Sequence, residues 1–166
     1  MAMRTLLSLA VGAVFTAVVA AVSAPWGAAP AAACPTYNGS PHFGTISLNE
    51  GFLPDPYYRQ VTAGGTQNIG NCGVPGWGWT ARRPDFRIQY NSSGRSALSF
   101  VIRSNADTVL LINDPRGNWH FDDDGGQDLG AFLKFPNAMG GQWDIWIGSY
   151  NQARGIPANL EISERY

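Results

Sequence analysis

From Gly44 to Ser163 short runs of alternating apolar and polar residues are separated by clusters of Gly, Pro, Asn and Asp. Ile46 and Leu48 fall on one side of Gly44–Phe52, and Tyr57–Thr62 alternates again before Ala63-Gly64-Gly65. Phe86, Ile88 and Tyr90 share a face, as do Leu98, Phe100 and Ile102 within Ala97–Arg103. A period of two is the mark of a half-buried strand. Thr108–Asn113 is apolar almost throughout, as expected of a strand covered on both faces. Asp114-Pro115-Arg116-Gly117 is a turn with Pro at its favoured second position, and Asn118–Asp122 is expected to be the return strand. Ala131–Phe135 follows. Gln142–Tyr150 puts Trp143, Ile145 and Ile147 on one face and Asp144, Trp146 and Tyr150 on the other. Ala158–Ser163 closes the set with Leu160 and Ile162 inward. No helical period persists in this region. About eight to ten short strands divided by turns predict an all-β, antiparallel β-sandwich or jelly-roll-like domain. Gly70–Trp79 is too rich in Gly and Pro for a central strand. It is expected to be a loop pinned at Cys72, with Trp77 and Trp79 packed back on the body.

The first 33 residues follow another rule. Arg4 precedes an uncharged Ala- and Val-rich run from Leu6 to Val22, and small residues follow. That layout is a secretory signal peptide, with cleavage expected between 24 and 33 and a single mature domain over 34–166. An uncleaved anchor would need a longer or more apolar run. Lipidation at Cys34 would normally require a large apolar residue at position 31, which is Ala. Export changes the reading of the two cysteines. In an oxidising compartment Cys34 and Cys72 are expected to pair. No CxxC occurs, so neither redox activity nor zinc is indicated.

Charged residues are 14% of the chain and the net charge is -1, without any run of Lys and Arg. Nucleic acid, which selects a basic face, is therefore not an expected partner, and no stable membrane span is expected after cleavage of the leader. The aromatic content, 12% with Trp 6, is ample for a packed core. Trp146 and Tyr150 share one strand face. Exposed, they would stack on sugar rings. Covered by the Trp77–Trp79 loop, they would be core, which is the commoner fate of large aromatics in strands.

The last 60 or so residues carry a set of motifs. Asp107 precedes a strand, Asp114-Pro115-Arg116-Gly117-Asn118 is a D-P-x-G turn, and Asp122-Asp123-Asp124 is an acidic turn. An apolar strand at Phe132–Phe135, the run Gly141–Ile147 and a final Leu160–Ser163 strand follow. As a set, over about 107–164, they resemble the bacterial pre-peptidase C-terminal domain family. Phe43–Tyr90 also resembles the first half of small exported proteobacterial proteins of this type. Those often have a Cys just before the acidic turn, where this chain has Phe121, so their disulfide pattern does not carry over. The resemblance implies a β-sandwich with an accessory or binding role, and calcium in some members. The expected function is a non-catalytic exported binding or structural module of the cell envelope or extracellular space. Its partner would be an extracellular protein, glycan or surface polymer. The alternative is a secreted hydrolase, peptidase-associated or glycan-acting. Against a serine peptidase, Asp124 stands where a G-D-S-G-G serine would be, and aspartate cannot serve as that nucleophile. His120, between Trp119 and Phe121, is expected to be structural.

Asp122, Asp123, Asp124 and Asp128 crowd one turn around Gly125-Gly126. By the family pattern Asp107 lies near it. The spacing is neither an EF-hand loop nor an RTX repeat. Two readings stay open: a weak Ca²⁺ site, since a hard cation with oxygen ligands relieves carboxylate repulsion, or a hydrated hairpin end.

Overall fold

The computed structural model describes residues 34–166, so the expected signal peptide lies outside the described residues. Among the described residues eleven strands form two facing sheets, and Ile69–Asn71 is a 3₁₀ turn. The strands are β1 (Thr45–Asn49), β2 (Tyr57–Gly64), β3 (Gln67–Asn68), β4 (Trp79–Thr80), β5 (Phe86–Ser93) and β6 (Leu98–Ser104). They continue with β7 (Thr108–Asn113), β8 (Trp119–Asp122), β9 (Phe132–Phe135), β10 (Met139–Ser149) and β11 (Arg154–Ser163). The larger sheet runs β8-β7-β10-β5-β1, with the short β4 and β3 continuing from the far end of β10. The smaller runs β2-β11-β6-β9.

The alternating patterns place the core as anticipated. Phe86, Ile88, Tyr90, Leu110, Ile112, Trp143, Ile145 and Ile147 from one sheet meet Leu98, Phe100, Ile102, Leu160 and Ile162 from the other in one buried cluster. Phe135 stands edge-on to Trp143 and Phe100 at one end of it. One pairing departs from the antiparallel expectation. β1 and β5 are parallel, with Thr45 opposite Arg87 and Asn49 opposite Asn91. After β1 the chain crosses to the other sheet as β2 and returns through β3 and β4, and such a crossover, unlike a hairpin, delivers a parallel neighbour.

β7 is buried along its whole length. Its outward Leu111 packs with Ile69 and Trp146 in a second cluster, flanked by Val74, Trp119 and Phe121. The Gly-rich loop is thus a lid on the outer face of the large sheet. Gly76 is dictated by close approach: a Cβ there, at φ +86, would stand 2.1 Å from the Phe121 ring. Cys34 and Cys72 are joined, which fastens the start of the described chain to this lid. Trp77 corrects the sequence reading. Its ring lies so close to Gly70 that a Cβ there would stand 2.6 Å from it, yet the side chain remains 51% exposed, since a residue without a side chain covers little of an indole.

Candidate functional site

The acidic turn joins β8 to β9. Asp122, the last residue of β8, accepts hydrogen bonds through Oδ2 from the backbone N–H of Gly125 and of Phe132, both at 2.8 Å. It is the clasp of the turn. A Cβ on Gly125 would sit 2.7 Å from that carboxylate, which accounts for the glycine. Asp128 and Leu129 adopt left-handed backbone, φ 54 and φ 60, to close the loop. Asp107, just before β7, comes to the same end of the sandwich. Its Oδ1 is buried without a hydrogen-bond partner. Burial raises its pKa above the ordinary aspartate value, and the charges of Asp124 and Asp123 raise it further. Asp107, Asp123 and Asp124 therefore feel one another. Asp128 points elsewhere, lining a groove with Arg103 and Gln127. Among the described residues no three His, Cys, Asp or Glu side chains stand together closely enough to hold a metal ion as they are.

The aromatic pair separates. Trp146 is fully buried, with Trp119 at 5.1 Å between ring centroids and its indole N–H donating to the Arg82 carbonyl. This corrects the ligand-contact alternative for Trp146: the Ile69–Gly78 lid covers the strand face that alternation alone would leave open. Tyr150, just past the end of β10, is 40% exposed.

Other charged groups are committed to holding turns. Asp114 accepts from Arg116 N, Asn118 N and Asn118 Nδ2, and lies 3.0 Å from His120 Nε2. Burial opposes ionisation of Asp114, but the bonds from His120 and Asn118 outweigh it and hold its pKa low. His120 also stands edge-on to Phe135 at 4.8 Å, in the structural role expected of it. Asp144 is buried, held by Arg87 at 2.8 Å and Gln142 at 2.7 Å. Glu50 takes bonds from Ser96 and from the Ser93 hydroxyl and N–H, which hold its carboxyl down to about 2.

A cleft that the sequence did not announce lies where the 36–43 strap crosses the end of β2. It measures about 990 Å³, and its lining includes Arg82, Arg83, Arg154, His42, Phe43, Asn38 and Gln67. The one hint in the sequence was Arg82-Arg83, two adjacent cations in a chain otherwise without a basic pair.

No family model matches the chain, and no curated protein matches it. Among solved structures, the chain is similar to the pre-peptidase C-terminal domain of collagenase from Bacillus anthracis, at 10% identity and a TM-score of 0.46. The similarity covers 76% of this chain and 100% of that one.

Proposed function

We propose that this domain is an exported, non-catalytic binding or structural module of the cell envelope or extracellular space, with Ca²⁺ bound weakly at its acidic turn. The observation that carries the first part is where the ionisable side chains are spent. Asp114, His120, Asp122, Asp144 and Glu50 clamp turns and strands rather than converging on an open cleft as an acid, a base and a nucleophile would. The Cys34–Cys72 bond favours an oxidising compartment. Purified protein incubated with peptide and glycan substrates is expected to release no product. Turnover that disappears in Asp124→Ala would establish the hydrolase instead.

Asp107 supports the calcium part. Its orphaned Oδ1, beside two like charges, is an unsatisfied acceptor of the kind that a hard cation relieves. Asp107, Asp123 and Asp124, which do not stand close enough as they are, would have to draw together to supply the ligands, while Asp122 keeps Oδ2 on its two N–H groups. Ligand that binds only the folded state stabilises it by mass action, about 1.4 kcal/mol at ten times Kd, or a few degrees in Tm. Millimolar Ca²⁺ is expected to raise the Tm of the EDTA-treated wild type by that amount and to leave Asp123→Asn/Asp124→Asn unmoved. Equal curves for the two proteins would remove the site.

A further inference from the structure

The cleft beside β2 concentrates positive charge in a chain whose net charge is -1. Arg82, Arg83 and Arg154 are all exposed there. Among the described residues none of the three has a carboxylate partner; Arg59, Arg95 and Arg116 also lack one, but they lie off this lining. The acidic residue on the lining, Asp85, is 3% exposed and turned onto the Ile147 N–H at 2.7 Å, so it does not neutralise the rim. His42 registers the local field: burial lowers its pKa, and the Arg83 charge lowers it further. Three unpaired guanidinium groups around one depression are an anion receptor, since each offers a planar fork of donors to a carboxylate or sulfate.

The rest of the lining narrows the ligand. Phe43 packs on Phe86, with ring centroids 5.5 Å apart, yet leaves 44% of its surface open. Asn38, Thr62, Thr66 and Gln67 add amides and hydroxyls. Phe43 and Thr62 also border a second groove of about 720 Å³, whose lining includes the amides Gln60, Asn105, Gln127 and Asn159, together with Asp128 and with Arg103, which is paired with Glu161. The two grooves therefore meet, forming a track that is cationic at one end and amide-rich along the other. An aromatic face, many hydroxyl-bonding groups and unpaired arginines suit a chain of sugars bearing acidic groups. An acidic peptide would pair its backbone N–H and C=O groups with the amides, but its Asp and Glu side chains offer no ring face to stack on Phe43.

We propose that this track binds an acidic polysaccharide of the uronate type. Arg82, Arg83 and Arg154 hold its carboxylates, Phe43 stacks on a sugar ring, and Asn38 and Gln67 bond to hydroxyls. The proposal rests on the reading of the domain as a binding module. The test is biolayer interferometry against immobilised polygalacturonate, with dextran as the neutral sugar chain and poly-L-glutamate as the carboxylate chain without sugars. Polygalacturonate is expected to bind, more weakly as salt screens the arginines, while dextran does not. Arg83→Ala and Arg154→Ala, exposed positions that preserve the fold, are each expected to weaken binding about tenfold or more. Phe43→Leu keeps apolar packing on Phe86 and is expected to weaken polygalacturonate only. By NMR, the His42 titration should move upward when polygalacturonate binds. No binding at low salt, or binding indifferent to the arginines, would overturn the site while leaving the module reading intact. Poly-L-glutamate binding equally well and independently of Phe43 would overturn the polysaccharide assignment in favour of an acidic peptide. Polygalacturonate bound and then shortened would leave the site standing and overturn the non-catalytic reading.

Discussion

Replacing both Cys34 and Cys72 with serine is expected to destabilise the domain by roughly 4 kcal/mol. The two residues are 38 apart in sequence, and a cross-link over that span removes loop-closure entropy of about this size from the unfolded chain. The folded state should change as well, in one place. The bridge holds the lid at Cys72, whose N–H bonds to the Ile69 carbonyl, and Ile69 is fully buried against Leu111 and Trp146. It also holds the start of the strap, which otherwise meets the body through Thr36 N to Arg82 O at 2.8 Å and through the Arg87 guanidinium, which donates to the Tyr37 carbonyl at 2.6 Å. Without the bridge the lid is expected to open before the sandwich does. Urea unfolding would give the loss in stability, and limited proteolysis should cut first between residues 70 and 78. A loss under about 1 kcal/mol, or a first cut elsewhere, would mean that apolar packing alone retains the lid.

The second large effect concerns Asp85. Its carboxyl is buried just before β5, beside β10, with only the Ile147 N–H bonded to Oδ2. Burial pushes its pKa from 3.8 up to about 7, and that hydrogen bond recovers only part of the lost solvation. The folded protein therefore binds a proton that the unfolded chain releases near pH 4. Stability contributed by this group is present at low pH and declines as pH rises from about 4 to about 7, by on the order of 4 kcal/mol if the full shift is expressed. In Asp85→Asn the side-chain carbonyl still accepts from Ile147 N–H, and no charge has to be buried. The variant is expected to match wild type near pH 4 and to exceed it by about 3 kcal/mol at pH 8. The difference between the two proteins isolates Asp85. Glu50, held down to about 2 by Ser96 and Ser93, titrates below this window and contributes equally to both. Denaturant midpoints at several pH values would measure it, and parallel curves for the two proteins would show that Asp85 does not ionise in this range.

The strands were legible because their information is local. Alternation in Phe86–Tyr90 and Leu98–Ile102, and the continuous apolar run of Thr108–Asn113, state which side chains must leave water, and a period of two leaves one way to do it. The same holds for the D-P-x-G turn and for the acidic turn, where Asp122 and Gly125 act on neighbours a few positions away. The all-β sandwich and the pairing of two cysteines were therefore determined by the sequence itself, whereas of the four aspartates of the acidic turn the fold sets Asp123 and Asp124 toward Asp107 and turns Asp128 to another groove. What lies over a strand was not. Trp146 has the outward phase of an exposed residue, and it is buried because a segment some 70 positions earlier folds back over it. The parallel pairing of β1 with β5 depends on a crossing between sheets that no local period encodes. The cationic cleft has the same origin. His42, Arg82, Arg83 and Arg154 come from three separated stretches, and each looks like an ordinary solvated charge in its own surroundings. Their convergence follows from how the strap, the β2 end and the start of β11 meet, and only the tertiary structure decides that.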